Sequence, residues 1–396
     1  MIRKILIGLA VFTVLVVASG VFLYYKIRPS IREAEARIEA KQKMLQPRLV
    51  KGEGDFERRT FYTGEGLGNI SEIRVGWPAD REGARMAVVG SQGADFLEST
   101  GQVKKQVRFA MEQRRPVVVA SLGPNGEYGY LTRDESWAVP ATLFDKDGHV
   151  SWRSEENLPG VDDSVPADLH GDGKLSIVIG FNGSGGLSLF DGQGKRLWKK
   201  EEHNVWHVET LDINGDGREE ILHSNAKGEL LVRSGNGDRI AQYLPGTYVS
   251  QFALTRWREE SRPSHILVPI SEFSDNCCKP ALLVLDSHGK EVAHLQSPLG
   301  NLFTQTSATP IRFAKDAQYF AVLKTDFASE RSMLLLYAED REIVFQEILG
   351  ETCLGMAALP NNDGERLLVG CTSKIWQYSP VRLARDASKQ NNPSGQ

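Results

Sequence analysis

Apolar and polar residues alternate with period two through most of this chain, in short runs bounded by clusters of Gly, Asn and Asp. That pattern predicts short antiparallel strands joined by tight turns, not amphipathic helices. It is most regular from Asp163 to Tyr243, where one module occurs twice. The first copy reads VPADLHGDGKLSIVIG and then GGLSLFDGQGKRLW; the second reads VETLDINGDGREEILHS and then GELLVRSGNGDRIA. Each has an apolar start, an acidic Gly-rich loop, two β-rich runs, a turn ending in Gly and an outer strand. A unit of this size needs neighbours to bury its faces.

The turn of this module can be followed along the chain. It recurs as FLESTGQV around Glu98, LFDKDGHVSW at Asp145, LFDGQGKRLW at Asp191, LVRSGNGDRI at Arg233, VLDSHGKEV at Asp286 and, degraded, LYAEDREIVF at Ala338. The anchors lie about 42 to 53 residues apart, room for four short strands per unit. A seventh unit starts near Thr352 and reaches Pro380 one strand short. The segment DFERRTFYTG, ahead of the first unit, can supply that strand and close a ring without free edges. The expected fold is therefore all-β: a seven-bladed β-propeller of four-stranded antiparallel blades over residues 50–380. A six-bladed ring plus a separate β module is the alternative.

The ends differ from this middle. From Ile5 to Tyr25 the chain carries no charge, and twenty-one residues at about 1.5 Å each span a hydrocarbon core. Residues 1–29 are read as an uncleaved signal-anchor transmembrane segment. The rival is a peptide cleaved after Ala18-Ser19-Gly20, but apolar residues continue past that point to Tyr24-Tyr25. The positive-inside count, taken literally, places the large domain in the cytoplasm. A single N-terminal anchor followed by one long domain instead favours export, and that topology is the one expected. Residues 30–49 read as a helical stalk, with Ser30 as N-cap and Pro47 as terminator. Residues 381–396 read as a polar disordered tail.

Charge narrows the function classes. There are 47 basic and 51 acidic residues, a net charge of −4, which does not favour nucleic acid as a partner. The 38 glycines suit a turn-rich β protein, and four cysteines are too few for a disulfide scaffold.

The acidic loops resemble those of FG-GAP/VCBS-type repeats, whose D-x-[DN]-x-D-G loop runs into an apolar strand. The matching positions are Asp212, Asn214, Asp216, Gly217 and Glu220 in the second copy, and Asp168, His170, Asp172, Gly173 and Ser176 in the first. Alternate side chains of such a loop converge on one point, where Ca²⁺ takes six to eight oxygens. The resemblance implies structural Ca²⁺ held by Asp212, Asn214, Asp216, the carbonyl of Arg218 and Glu220, with Asp168 and Asp172 in the weaker first loop. The alternative is two metal-free turns whose Asp and Asn side chains bond their own backbone. The LFDxxGxxxW turn is similar to quinoprotein-type (PQQ-like) propeller repeats as well.

Other candidates are fewer. Cys353 and Cys371 lie on consecutive predicted strands and are equidistant from Asn362, so they can meet across the pair as a disulfide, or stand as two small buried residues. Cys277-Cys278 falls in a loop of the fifth unit. His203 and His207 sit four apart on a strand, too far to share a metal. Trp152 and Trp198 occupy equivalent places and predict packing between blades, whereas Trp206 and Trp257 can line the central face. No catalytic motif occurs, and no catalytic residue is assigned. The expected function is a membrane-tethered extracytoplasmic binding or scaffolding module, with a protein or carbohydrate ligand at a propeller face. The alternative is a quinoprotein-like dehydrogenase or lyase-type enzyme using the central funnel.

Overall fold

The computed structural model describes residues 26–75, 86–108, 115–121, 128–133, 141–145, 149–154, 160–172, 174–213, 216–246, 249–255, 265–270, 281–299, 302–314, 317–339, 341–361, 364–372 and 374–381. It comprises two units, Met1–Gln46 and Pro47–Gln396. In the first, residues 26–44 are helical, with exposed ion pairs one turn apart at Glu33–Arg37 and Glu39–Lys43. Ser30, expected as the N-cap, lies inside this helix. Among the described residues no helix is long and apolar enough to cross a membrane. The apolar run Ile5–Tyr25 lies outside them, as do Cys277, Cys278, Trp257 and residues 382–396.

The second unit is a β-propeller built from six four-stranded antiparallel sheets and one five-stranded sheet. The count of four-stranded blades is thus six, not the seven expected. The difference lies in the sheet Gln305–Leu349, where Arg48–Lys51 pairs with Ile343–Leu349 as a fifth strand. Those four residues are all exposed, so no alternation of apolar and polar positions announced them. Closure follows expectation, for Phe56–Thr63 pairs with Lys374–Pro380 and completes the sheet of Cys353–Asn361 and Gly364–Cys371.

The first strands of successive sheets touch each other around the inner wall: Cys353–Asn361 against Ile70–Val75, Val161–Ala167 against Val205–Leu211, Gln305–Ala314 against Cys353–Asn361. Apolar clusters fill the seams between sheets. Val165, Leu189 and Ile177's neighbour Val178 meet Val205, Val208 and Ile221 at one seam, and Leu334, Leu336 and Phe345 meet Leu367, Val369 and Tyr378 at another. Each sheet therefore buries both faces only because its neighbours are present, as in repeat proteins generally.

The recurring turn explains its own sequence. Gly101, Gly194, Gly237 and Gly289 each donate a backbone hydrogen bond three residues back, to Glu98, Asp191, Ser234 and Asp286. All four adopt left-handed φ between 76° and 88°, which places a bulge at the start of the outer strand. The leading Asp caps the turn: Asp191 Oδ1 accepts from the backbone N–H of Gln193 and Lys195 at 3.0 and 2.8 Å. Asp286 Oδ1 does the same with His288 and Lys290. By this register the equivalent of Asp191 is Ser234, not Arg233, the anchor that the turn motif indicates. Arg233 falls instead at the position of Phe190, inside the sheet.

Successive sheets are tied at these turns. Trp198 Nε1 donates to the carbonyl of Gly235 at 3.0 Å, and Tyr243 Oη donates to that of Ser287 at 2.7 Å. Trp152 stacks on Phe190 with centroids 5.6 Å apart and planes 16° off parallel. The packing role expected of Trp152 and Trp198 is therefore what they have.

Candidate functional site

Most inner-strand positions are apolar or small, yet three inner strands carry charge at matching places. Ile70–Val75, Val161–Ala167 and Val205–Leu211 each have a register shift near their start, after Ile70, Val161 and Val205. An extra residue there re-aims the side chains that follow. Glu72, Asp163 and His207 lie at or just past these bulges, with Arg74 and Glu209 two residues further on.

The five side chains form one network across the inner wall. His207 Nδ1 lies 2.6 Å from Asp163 Oδ2, which also accepts the backbone N–H of Val208 at 3.0 Å. His207 Nε2 lies 3.3 Å from Glu209 Oε1. Arg74 pairs through Nε with Glu72 and donates from its terminal nitrogen to the carbonyl of Ser164 at 3.2 Å. Phe252 of the following sheet meets the imidazole edge-on at 4.7 Å. The side chains of Asp163, His207, Arg74 and Glu72 keep 15, 19, 22 and 28% of their surface accessible, so water reaches a site enclosed on most sides.

The electrostatics follow from this crowding. Burial alone would lower the His207 pKa, but Asp163 and Glu209 raise it to about 10, so the ring is an imidazolium at neutral pH. Burial would raise Asp163, yet His207, Arg74 and the Val208 N–H together hold it below the ordinary carboxylate range. Glu72 is pushed up by burial, against the opposing pull of Arg74. Arg74 itself is raised, the carboxylates of Glu72, Asp163 and Glu209 outweighing its desolvation. With every carboxylate ionised the five groups sum to one negative charge.

The acidic loops are placed elsewhere, at the ends of these strands. Asp168 Oδ1 accepts from Asp172 N at 3.1 Å, and Asp172 Oδ1 from Lys174 N at 3.0 Å. Asp212 Oδ2 accepts from Gly217 N, Asp216 Oδ1 from Arg218 N, and Glu220 Oε2 from Ile213 N. These are bonds of side chain to local backbone, the turn chemistry of Asp. The two loops also touch: Glu219 Oε2 accepts from Asp168 N at 3.0 Å. Burial raises the Glu219 pKa, and Asp168 and Asp212 add to the shift. Asn214 lies outside the described residues, and among those described no group of three or more His, Cys, Asp or Glu is placed to hold a metal.

Cys353 and Cys371 are directly opposed across their strands, with sulfurs at 2.01 Å as a disulfide. Cys353 N donates to Ser332 Oγ at 2.9 Å, which ties the closing sheet to its predecessor.

Sequence reasoning missed the inner-wall network. In the sequence the nearest histidine to His207 is His203, and Glu72, Arg74 and Asp163 stand in no motif. The one signal available was the acidic pair Asp162-Asp163 inside a strand, Val161–Ala167, whose other residues are apolar or small.

No family model and no curated protein matches the chain. Among solved structures the chain is similar to a protein of unknown function from Bacteroides caccae, at 14% identity and a TM-score of 0.40, over 62% of this chain and 95% of that one. A likeness at that level carries no functional argument.

Proposed function

We propose that the protein is a membrane-tethered, extracytoplasmic binding or scaffolding module whose protein or carbohydrate ligand meets one mouth of the propeller. The observation that carries this reading is the state of His207. Both ring nitrogens face carboxylates, at 2.6 Å from Asp163 and 3.3 Å from Glu209, and that pairing pushes the ring's pKa up to about 10. A general base must accept a proton near the working pH, and an imidazolium between two carboxylates accepts none. An enzyme using the inner wall would have to draw its base or cofactor anchor from a group other than His207. The network instead ties three inner strands together, which suits a rigid frame presenting loops. We take the five-stranded sheet as the seventh blade of the same ring. The tether rests on the apolar run Ile5–Tyr25, and structural Ca²⁺ on Asp212, Asn214, Asp216, the Arg218 carbonyl and Glu220, with Asp168 and Asp172 in the first loop.

The test uses the full chain in its own membranes, carrying a photo-crosslinking residue at Asn204, beside the bulges, or at Lys199 on an outer strand. A discrete adduct from position 204 and none from 199 is expected. Absence of any adduct at 204 overturns the binding reading. So does turnover of a dye acceptor on adding pyrroloquinoline quinone, if His207→Gln abolishes it. For calcium, thermal unfolding is compared with the ion and with chelator. Binding to the folded form alone stabilises by about 2.7 kcal/mol at a hundredfold excess over Kd, and Asp216→Ala should remove most of that gain. Identical melting in both conditions strikes calcium out.

A further inference from the structure

Among the described residues, the turn that recurs through the propeller departs from its glycine rule at one place. At the position taken by Gly101, Gly194, Gly237 and Gly289 the five-stranded sheet has Arg341, at φ 76°. The backbone there is that of its equivalents, since Arg341 N donates to the carbonyl of Ala338 as the glycines do. A side chain in this left-handed region is strained, and such outliers concentrate where a site needs them. The same sheet is the one that takes a fifth strand, Arg48–Lys51. These two departures from the repeat converge. Arg341 and Lys51 line one solvent-open pocket of about 370 Å³ at the seam with the preceding sheet, together with His294, Leu295, Tyr337, Glu342, Ile343 and Gln346.

The chemistry of the lining is asymmetric. Lys51, Arg341 and His294 bring cationic or proton-bearing nitrogens to it, and Glu342 is the single carboxylate among the described residues that line it. Leu295 and Tyr337 are buried and supply an apolar floor. Arg341 is steadied from outside, one terminal nitrogen donating to the Val292 carbonyl at 3.1 Å. That leaves a fork of further N–H donors of the kind that grips carboxylate and phosphate oxygens. We propose that this seam is a second binding site, for a small organic anion whose carboxylate or phosphate is held by Arg341 and Lys51 above the Leu295–Tyr337 floor. The site is independent of the inner-wall reading and would stand if that reading failed.

The experiment measures thermal unfolding and calorimetric binding of the full chain with citrate or inorganic phosphate, at constant ionic strength. A midpoint rise with either probe supports the site, and which probe acts identifies carboxylate or phosphate as the preferred group. Arg341→Gly should bind about tenfold more weakly or worse. It should melt no lower than the parent without anion, because glycine relieves the backbone. Lys51→Ala, on an exposed edge strand, should weaken binding with an unchanged midpoint and so guards against misfolding of the first variant. The proposal is overturned if neither probe binds the parent. It is equally overturned if Arg341→Gly retains binding, or melts several degrees lower and so assigns Arg341 to inter-sheet bonding alone.

Discussion

The sheets Val161–Lys200 and Val205–Tyr243 descend from one sequence pattern yet hold their third strands differently. In the first, Phe190 stacks on Trp152 of the preceding sheet, with Ile179 beside it in the same apolar cluster. In the second the equivalents of Phe190 and Ile179 are Arg233 and His223, both buried. Arg233 donates to His223 Nε2 at 3.1 Å and to the Gly237 carbonyl at 2.8 Å, and pairs with Glu202. A guanidinium can stand where a phenyl ring stood because its donors are met and its charge is matched. Burying it otherwise would be prohibitive.

Truncation should expose the contrast most strongly. Phe190→Ala removes a buried ring and should cost about 3–5 kcal/mol. Arg233→Ala should cost a similar amount, about 3–5 kcal/mol, for a different reason: Glu202 is left half-buried and unpaired, and His223 loses its donor. Replacing both members, Arg233→Leu with Glu202→Gln, should recover most of that loss in denaturant titration. If the double variant is no better than Arg233→Ala, the cost lay in packing and the two sheets are alike after all.

Next in size is the turn glycine. A Cβ on Gly194 would lie 2.4 Å from the Trp152 ring, whereas one on Gly237 would lie 2.4 Å from the flexible end of Lys200. Both alanines would occupy left-handed φ, at about 1–2 kcal/mol. Overlap with the fixed indole should bring Gly194→Ala to about 2–4 kcal/mol, against no added cost at Gly237. Equal losses for the two would mean that the Trp152–Phe190 stack yields easily.

The acid limb of stability should differ through His223. Burial, with the neighbouring Arg233 charge, lowers its pKa from 6.5 to about 3. The unfolded chain thus binds a proton that the folded chain refuses, so stability falls as pH drops from 6.5 towards 3. By pH 5 the loss from this one group, relative to the plateau above pH 6.5, is about 2 kcal/mol. His223→Gln keeps an acceptor for Arg233 and should lose less over the same interval. Parallel curves for the two proteins would remove His223 as the cause.

The smallest effect concerns the turn caps. Asp191 accepts two backbone N–H groups, while Ser234 Oγ accepts one, from Asp238 at 3.2 Å. Asp191→Ala should cost about 1–2 kcal/mol and Ser234→Ala about 0.5–1 kcal/mol. The reverse order would show that the second turn leans on its cap more than the first.

What could be read along the chain was what neighbours in sequence decide. Strand alternation, the D-x-x-G hairpin, the strand missing after Tyr378 and the opposed cysteines all rest on interactions spanning a few residues or one hairpin, and closure followed by counting. What the chain concealed was set by contacts that exist only once the ring is formed. Glu72, Asp163 and His207 belong to three sheets, and bulges at equivalent places bring them to one wall. The one-residue shift that puts Arg233 inside its sheet depends on Glu202 and His223 being there to receive it. Arg48–Lys51 carries no alternation to mark it as a strand, and it becomes one because the outer edge of Ile343–Leu349 has backbone groups to pair. Local pattern follows from the chemistry of adjacent residues; the charged wall and the extra strand follow from what the closed ring leaves to be paired.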